Sequence, residues 1–284
     1  MNDTTTNSAH LLDRLATPDV GVRLAGKDRG RNANFRRLFA WYSRYYLSKH
    51  FNALRLLKGV GTECSADVPL VVYLNHASWW DPIVAALLWR EFFVDRTPLV
   101  PIDAAALDRY RFFAKLGFFG VERGTLKGAR AFHQKASEVL TDPSKLLLIT
   151  PQGRFCDIRE RPVRFEAGMG HLAKNGIPCN YLPIAIEYIF WQERLPEVLI
   201  NMAAPLRLGA NEAAACSGKE LNTRLEDALS KAQNDLSQAA IAQRADQFQT
   251  LIKGQSGVGM VYDAWRWFGA RLRGKPFNPQ HQIA

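Results

Sequence analysis

The sequence predicts an α/β fold with a mostly parallel central sheet flanked by helices, and with a basic amphipathic helical segment before it. Short apolar runs alternate with segments of helical periodicity between residues 68 and 210, as in proteins whose parallel strands are joined by helices. Runs such as "VPLVVYL" at 68–74 are apolar at almost every position, which is typical of strands buried on both faces. A chain of 284 residues, 47% of them hydrophobic, is long enough to bury such a core.

Residues 31–58 predict a basic amphipathic helix or a pair of helices. The segment holds seven Lys and Arg residues and no acidic residue. Six large side chains recur in it at helical spacing: Phe35, Leu38, Phe39, Tyr42, Tyr45 and Tyr46. Such a helix lies in the interface of an anionic membrane, which is the prediction we favour. The alternative is that it packs its aromatic stripe on the protein's own core.

In the central part of the chain, each predicted strand is a short apolar run and each predicted helix is a longer periodic segment. The predicted strands are 68–74, 97–102, 117–123, 144–149, 181–190 and 197–206, and the predicted helices are 82–93, 126–140, 165–176 and 220–248. These patterns divide the chain into a polar, flexible N-terminal tail (1–30), the amphipathic helices (31–60), an α/β domain (61–250) and a basic aromatic C-terminal segment (251–284).

Charge and cysteine content limit the partners and the compartment. A net charge of +10 predicts an anionic partner, which is nucleic acid, a membrane surface or a phosphorylated substrate. The four cysteines include no C-x-x-C pair, and a long, cysteine-poor chain is typical of a reducing compartment. The N-terminus lacks the pattern of a signal peptide, and no uncharged apolar run reaches the ~18 residues that span a membrane. We therefore expect a peripheral protein on the cytoplasmic side of a membrane.

The candidate catalytic residues lie in "NHASWWD" at 75–81, where the first predicted strand of this domain meets a helix. His76 and Asp81 would lie roughly 140° apart on a continuous helix, so they meet only across a turn, which this junction supplies. A neutral imidazole held by a carboxylate can take the proton of a hydroxyl as its oxygen attacks an acyl carbon. Two simpler interpretations remain open: Asp81 before Pro82 suits a helix N-cap, and His76 suits an ordinary loop.

The motif resembles the N-H-x4-D block of the glycerolipid acyltransferase superfamily, which includes the 1-acylglycerol-3-phosphate acyltransferases. "GFFGVER" (117–123) is similar to the second block of that family, "TPQGRF" (150–155) to the third, usually F-P-E-G-T-R, and "GIPCNYLPIAI" (176–186) to the fourth. The four blocks stand in the family's order and cover roughly residues 65–210. A serine nucleophile is not indicated, because "GQSGV" departs from G-x-S-x-G at its last position.

The resemblance implies a role for each matching residue. His76 would be the general base, Asp81 its partner, and Arg123 the cation that binds the acceptor's phosphate; a surface arginine is the alternative for Arg123. Gly153 would let the backbone approach the substrate, or is simply a turn glycine. The substrate-binding positions implied by the blocks are Asn75, Gly117, Arg123, Pro151, Gln152, Gly153 and Arg154. The resemblance implies no metal and no bound cofactor, with acyl-CoA or acyl carrier protein as co-substrate.

Three departures from the family pattern concern the acceptor side. Gln152 replaces the usual glutamate, Phe155 stands where an arginine is usual, with Arg154 one position earlier, and Glu166 replaces a common lysine. The His76 and Asp81 pair is intact. The resemblance therefore implies that the catalytic chemistry is retained, and it leaves the identity of the acceptor open. The arginines of "RFCDIRERPVR" (154–164) either contact phosphate or belong to a solvated loop.

These observations predict a peripheral membrane O-acyltransferase of phospholipid biosynthesis. It would move a fatty acyl chain from acyl-CoA or acyl carrier protein to a lysophospholipid such as 1-acylglycerol-3-phosphate. Its expected partners are an anionic membrane surface, the lipid acceptor and an acyl carrier protein, with no nucleic acid. One alternative is the same chemistry on a glycosylated or isoprenoid lipid. The other is a non-catalytic basic module that binds a membrane or nucleic acid.

Overall fold

A computed structural model describes residues 31–59, 64, 66–255 and 271. The strands are β1 (Ala53–Leu57), β2 (Leu70–Leu74), β3 (Thr97–Asp103), β4 (Phe118–Val121), β5 (Lys145–Ile149), β6 (Cys179–Ile189), β7 (Glu197–Met202), β8 (Leu206–Leu208) and β9 (Phe248–Lys253). The α-helices are α1 (Arg31–His50), α2 (Asp81–Phe92), α3 (Ala104–Arg109), α4 (Leu126–Leu140), α5 (Gly168–Ala173), α6 (Ala210–Ala215) and α7 (Gly218–Ala242), with short 3-10 helices at Arg111–Leu116 and Ala245–Gln247.

The strands form one mixed sheet in the order β4-β3-β5-β2-β6-β7-β1-β9, and β8 pairs with β6. The strands β4, β3, β5, β2 and β6 run parallel to one another, with Val72 opposite Leu148 on one side and Leu182 on the other. The pairs β6–β7, β6–β8 and β1–β9 are antiparallel, while β1 and β7 are parallel. The predicted class, a mostly parallel sheet flanked by helices with a helical segment before it, is confirmed.

Helices cover both faces of the sheet, and its central strand β2 is apolar at every position. All five residues of β2 are buried. Val72 and Leu74 pack on the side of α1 and α2, whereas Val71 and Tyr73 pack with α4, α5 and α7 on the other side. Alternate side chains of one strand therefore serve two cores, as the period of two requires. This is why the sequence of β2 shows a continuous apolar run.

Two sequence predictions need correction at the edges of the domain. The helix predicted over 31–58 ends at His50, and residues 53–57 form β1. The long polar helix ends at Ala242, and 248–253 form β9, which pairs antiparallel with β1. Both strands therefore join the sheet that was expected to lie within 61–250. The tail predicted over 1–30 and nearly all of the segment predicted over 251–284 lie outside the described residues.

The topology brings the ends of distant strands to one edge. Because β4, β5, β2 and β6 are parallel, their carboxyl ends lie along the same side of the sheet. The loop at 75–80 follows β2, the turn at 150–153 follows β5, and Arg123 follows β4. Ligand sites of α/β sheets commonly form at this edge.

Candidate active site

His76 and Asp81 meet across the turn between β2 and α2. The Nδ1 atom of His76 lies 2.7 Å from Oδ2 of Asp81. The turn closes when the main-chain N–H of Asp81 donates to the carbonyl of Ser78 at 3.1 Å, and Oδ2 of Asp81 accepts from the N–H of Ser78 at 3.0 Å. The N-cap residue of α2 is Trp80, without a side-chain cap. Asp81 is thus the first helical residue, and its carboxylate turns back to the loop and His76, so the N-cap interpretation was wrong.

Burial differs sharply between the two partners. The side chain of Asp81 is 2% exposed and that of His76 is 23% exposed. When Nδ1 donates to the carboxylate, the neutral imidazole carries its lone pair on Nε2. The pair therefore combines a buried, fixed carboxylate with an imidazole that solvent, and hence a substrate, can reach. Such an arrangement can accept a proton from a hydroxyl group.

A partly buried tyrosine, not predicted from the sequence, is the third partner of Asp81. The hydroxyl of Tyr188, at the end of β6, donates to Oδ1 of Asp81 at 2.6 Å. Burial, with the charge of Asp81 as a smaller cause, raises the pKa of Tyr188 well above its ordinary value, so the phenol remains a donor. Its only sequence signal was its place at the carboxyl end of a strand, and that signal becomes useful once β6 is known to lie beside β2.

The turn after β5 holds the main chain of His76. The N–H of His76 donates to Oε1 of Gln152 at 3.1 Å, and its carbonyl accepts from the N–H of Cys156 at 2.8 Å. Gln152 itself is buried. An amide oxygen accepts from an N–H as a carboxylate does, so the change from the family's glutamate to glutamine keeps this contact. Gln152, predicted to bind substrate, acts in this structure as a support of the candidate base.

Asn75 must be reassigned. Its side chain is 1% exposed, its Nδ2 donates to the carbonyl of Ile186 at 3.0 Å, and its Oδ1 accepts from the N–H of Ile186 at 2.8 Å. The amide thus continues the pairing of β2 with β6 by one position beyond the end of the strand. The prediction that Asn75 binds substrate was wrong, because a buried amide with both ends in use cannot reach one.

Arg123 lies beside the turn at Gly153, together with Glu166. Nη2 of Arg123 is 3.9 Å from Oε1 of Glu166, and both side chains are exposed. Gly153 has φ +65°, and a Cβ there would stand 3.0 Å from Cγ of Glu166 and 3.2 Å from Nη2 of Arg123. Gly153 therefore serves both the turn and this close approach. The second and third sequence blocks therefore meet here, with a carboxylate next to the predicted phosphate ligand.

The remaining predicted substrate residues have contacts within the protein. Gly117 has φ +99°, and a Cβ would come within 2.1 Å of the carbonyl oxygen of Pro98, so packing alone requires a glycine. Pro151 is buried, and its carbonyl accepts from the N–H of Glu166 at 2.9 Å. Arg154 is exposed and forms an ion pair with Glu160. Substrate contact for these three residues stays a prediction.

Aromatic rings stand on the open side of His76. The ring of Phe155 lies 4.1 Å from the His76 ring, centroid to centroid, and 5.5 Å from that of Trp79. Both Phe155 and Trp79 are exposed. The position where the family usually has an arginine thus carries an apolar ring over the candidate base. The apolar surface formed by Phe155 and Trp79 suits an acyl chain better than it suits a phosphate.

Residues 57–187 match the family model described as Acyltransferase. This part of the chain is an acyltransferase domain. The match includes His76, Asp81, Arg123 and Gln152, and it confirms the superfamily indicated by the sequence blocks. The matched residues run from Leu57, the last residue of β1, through most of β6. The rest of β1 and the strands β7, β8 and β9 complete the sheet from outside the matched residues, and α7 also lies outside them.

The fold of the acyltransferase also resembles a solved structure. It matches the 1-acyl-sn-glycerophosphate (LPA) acyltransferase PlsC from Thermotoga maritima with a TM-score of 0.50 and 14% sequence identity, over 81% of this chain and 88% of that chain. A comparison with curated protein sequences found no match. At this identity the likeness concerns the fold.

Proposed function

We propose that this acyltransferase moves a fatty acyl chain from a thioester, acyl-CoA or acyl carrier protein, to the hydroxyl of a lysophospholipid such as 1-acylglycerol-3-phosphate. The observation that carries the proposal is the contact of 2.7 Å between His76 Nδ1 and the buried carboxylate of Asp81. That contact leaves Nε2 of a partly exposed imidazole as the proton acceptor. The named activity of the structurally similar PlsC supports the choice of a lysophospholipid.

The reaction is a direct transfer. Nε2 of His76 removes the proton of the acceptor hydroxyl while its oxygen attacks the thioester carbon, and the carbonyl bond opens to an oxyanion. The oxyanion then collapses, the carbon–sulfur bond breaks, and the thiolate leaves and takes the proton from the imidazolium. Asp81 remains ionised throughout and stabilises the imidazolium. An ester and a thiol are formed, and the His76 ring returns to its neutral state.

A second acceptor class is favoured by the charges near His76. Arg123 is beside Glu166, Arg154 beside Glu160, and Phe155 occupies the third candidate position for a cation. The neighbouring Arg159 and Arg164 are likewise paired, with Asp157 and Glu226. A phosphomonoester would compete with carboxylates at each of these arginines. The same transfer onto a glycosylated or isoprenoid lipid is therefore the second candidate.

An acceptor panel decides between these two. Thiol release from acyl-CoA, and from acyl carrier protein loaded with the same chain, would be followed with each acceptor in anionic vesicles. We expect release that depends on lysophosphatidic acid and yields its diacyl product. Release only with a glycosylated or isoprenoid alcohol would establish the second candidate. Absence of acceptor-dependent release across the panel, from folded and vesicle-bound protein, would contradict the proposal.

We further propose that α1 holds the enzyme on the cytoplasmic surface of an anionic membrane. Its buried face consists of Ala33, Arg36, Ala40, Ser43 and Leu47. Its opposite face exposes Leu38, Trp41, Tyr42 and Tyr45, with the ammonium of Lys49 over the Tyr45 ring at 5.4 Å. Aromatic rings with a basic rim suit the lipid interface. Among the described residues, no helix has the length and apolar character needed to cross a membrane.

The end of α1 also touches the catalytic loop. The rings of Tyr46 and Phe51 lie 5.4 Å and 4.8 Å from the ring of Trp80. A helix docked on a membrane would therefore place the loop of His76 close to the lipid surface, where the acceptor resides.

Vesicle flotation tests the membrane surface. Trp41→Ser combined with Tyr45→Ser removes two exposed rings and should lower binding to anionic vesicles. Ile241→Ser is the matched control, because Ile241 is 74% exposed on a different helix. Equal flotation of all three proteins would show that α1 is not the docking surface.

A further inference from the structure

We propose that Tyr188 is a positioning residue for the catalytic pair: its hydroxyl fixes the carboxylate of Asp81, and through it the imidazole of His76. The inference deepens the proposed function and rests on it. Tyr188 touches neither reacting atom. It orients His76 and Asp81, the pair that acts on the reacting atoms.

The hydrogen bonds divide the Asp81 carboxylate between three donors. Oδ2 accepts from His76 Nδ1 at 2.7 Å and from the N–H of Ser78 at 3.0 Å. Oδ1 accepts from the Tyr188 hydroxyl at 2.6 Å, the one donor to that atom found in the described part of the chain. Because Asp81 is 2% exposed, water has little access to replace a lost donor. The phenol therefore prevents rotation of the carboxylate away from the plane in which Oδ2 meets His76.

The sheet explains why a residue so distant in sequence reaches this carboxylate. Leu74 at the end of β2 pairs with Ile184 of β6, and β6 continues for five more residues beyond the end of β2. Ile184, Ile186 and Tyr188 share the face that packs with α1 and α2. The loop from β2 to α2 crosses over this face, so the extension of β6 supplies a rigid wall beneath it.

The same extension holds the loop at its other end. Asn75 binds both main-chain groups of Ile186, two residues before Tyr188. The ring of Tyr188 is in turn flanked by the ring of Phe51 at 6.0 Å. The extension of β6 thus fixes the first and last residues of the motif, and the hydroxyl of Tyr188 is its contact with the catalytic pair. A variant that keeps the ring of Tyr188 and lacks its hydroxyl would therefore lose this contact alone.

The variant Tyr188→Phe separates this role from packing. It keeps the ring against Phe51 and removes only the donor to Oδ1. We expect kcat to fall by about tenfold to a hundredfold, the effect of losing one hydrogen bond to a charged group. KM for the acceptor and the donor should stay unchanged, because the proposed role of Tyr188 is confined to the orientation of the pair.

The matched control is Tyr73→Phe. Tyr73 is a fully buried tyrosine whose hydroxyl donates to the main-chain carbonyl of Leu225 at 3.3 Å, and it lies on the opposite face of the sheet. Loss of its hydroxyl removes a tyrosine hydrogen bond, here to a neutral carbonyl, without touching the pair. Its kcat should equal that of the wild type.

A proton NMR measurement completes the test without any substrate. The resonance of the His76 Nδ1 proton, identified by its loss in His76→Ala, should shift in Tyr188→Phe and stay in place in Tyr73→Phe. The proposal is overturned if Tyr188→Phe leaves this resonance unmoved, or if its kcat stays within twofold of the wild type. If the wild type acylates no acceptor, the proposed function fails, and the resonance alone decides whether Tyr188 orients the pair.

Discussion

Reversing the charge of Glu166 should turn the site toward phosphate-bearing acceptors. Glu166 lies beside Arg123, with 3.9 Å between Oε1 and Nη2, and both residues are exposed. A phosphomonoester bound to Arg123 would therefore meet a carboxylate at about the same distance. Glu166→Lys replaces that repulsion by an attraction and restores the residue type that the resemblance leads one to expect.

The size of the effect follows from the distance and the exposure. Two unit charges about 4 Å apart in water interact by about 1 kcal/mol. Removal of one repulsion and addition of one attraction change the binding free energy by about 2 kcal/mol on this scale. Since about 1.4 kcal/mol corresponds to tenfold, KM for lysophosphatidic acid should fall roughly 30-fold. Glu166→Gln should give about half of this free-energy change, and high salt should weaken both effects.

The assay is steady-state thiol release at varied lysophosphatidic acid, with an uncharged or zwitterionic acceptor measured beside it. Glu138→Lys is the control, because Glu138 is a half-exposed glutamate that also forms an ion pair, with Lys135, and its replacement changes the net charge equally. An equal fall in KM for Glu138→Lys would trace the effect to general attraction by the vesicle. An unchanged KM for Glu166→Lys would refute the placement of a phosphate at Arg123.

Two further predictions concern stability. Glu197→Ala leaves the buried guanidinium of Arg55 without its carboxylate, and should lower the free energy of unfolding by about 3–5 kcal/mol in urea titrations; a loss below about 1 kcal/mol would contradict the role of this pair. Gly117→Ala forces a Cβ onto a backbone with φ +99° and into the carbonyl of Pro98. It should cost at least about 2 kcal/mol by the same titration, and unaltered stability would show that β3 and β4 tolerate a wider separation.

Local patterns were sufficient for the elements that carry their own amphipathicity. The helix predicted at 126–140 coincides with α4 (Leu126–Leu140), whose buried side chains lie on one face. The apolar run of β2 was equally legible, since a strand covered by helices on both faces has no polar positions. In both cases the pattern of buried positions follows from the sequence of the segment itself.

β1 was missed because its environment comes from distant parts of the chain. "ALRLL" at 53–57 suits a helix as well as a strand, and its central Arg55 favours exposure. Arg55 is buried where Glu197 of β7 and Thr250 of β9 meet it across the sheet. That partnership depends on strand order, which the local sequence does not contain.

The contacts of the candidate site fall into the same two groups, those within one local motif and those that depend on strand order. His76 and Asp81 lie at one strand-to-helix junction, so their contact could be predicted from a motif of seven residues. The support of His76 by Gln152, the hydrogen bond from Tyr188 to Asp81 and the burial of Asn75 against Ile186 each join two strands. They became visible only with β5 and β6 placed on either side of β2.

The central claim is that His76, oriented by Asp81, takes the proton of the acceptor hydroxyl. The most direct measurement is the acceptor-dependent rate of thiol release by wild type and His76→Ala, with His171→Ala, an exposed histidine on α5, as the control. The expected loss in His76→Ala is about 10²–10⁴-fold, the usual contribution of a general base, with His171→Ala unaffected. Equal rates in wild type and His76→Ala would contradict the claim and leave "NHASWWD" as a structural loop.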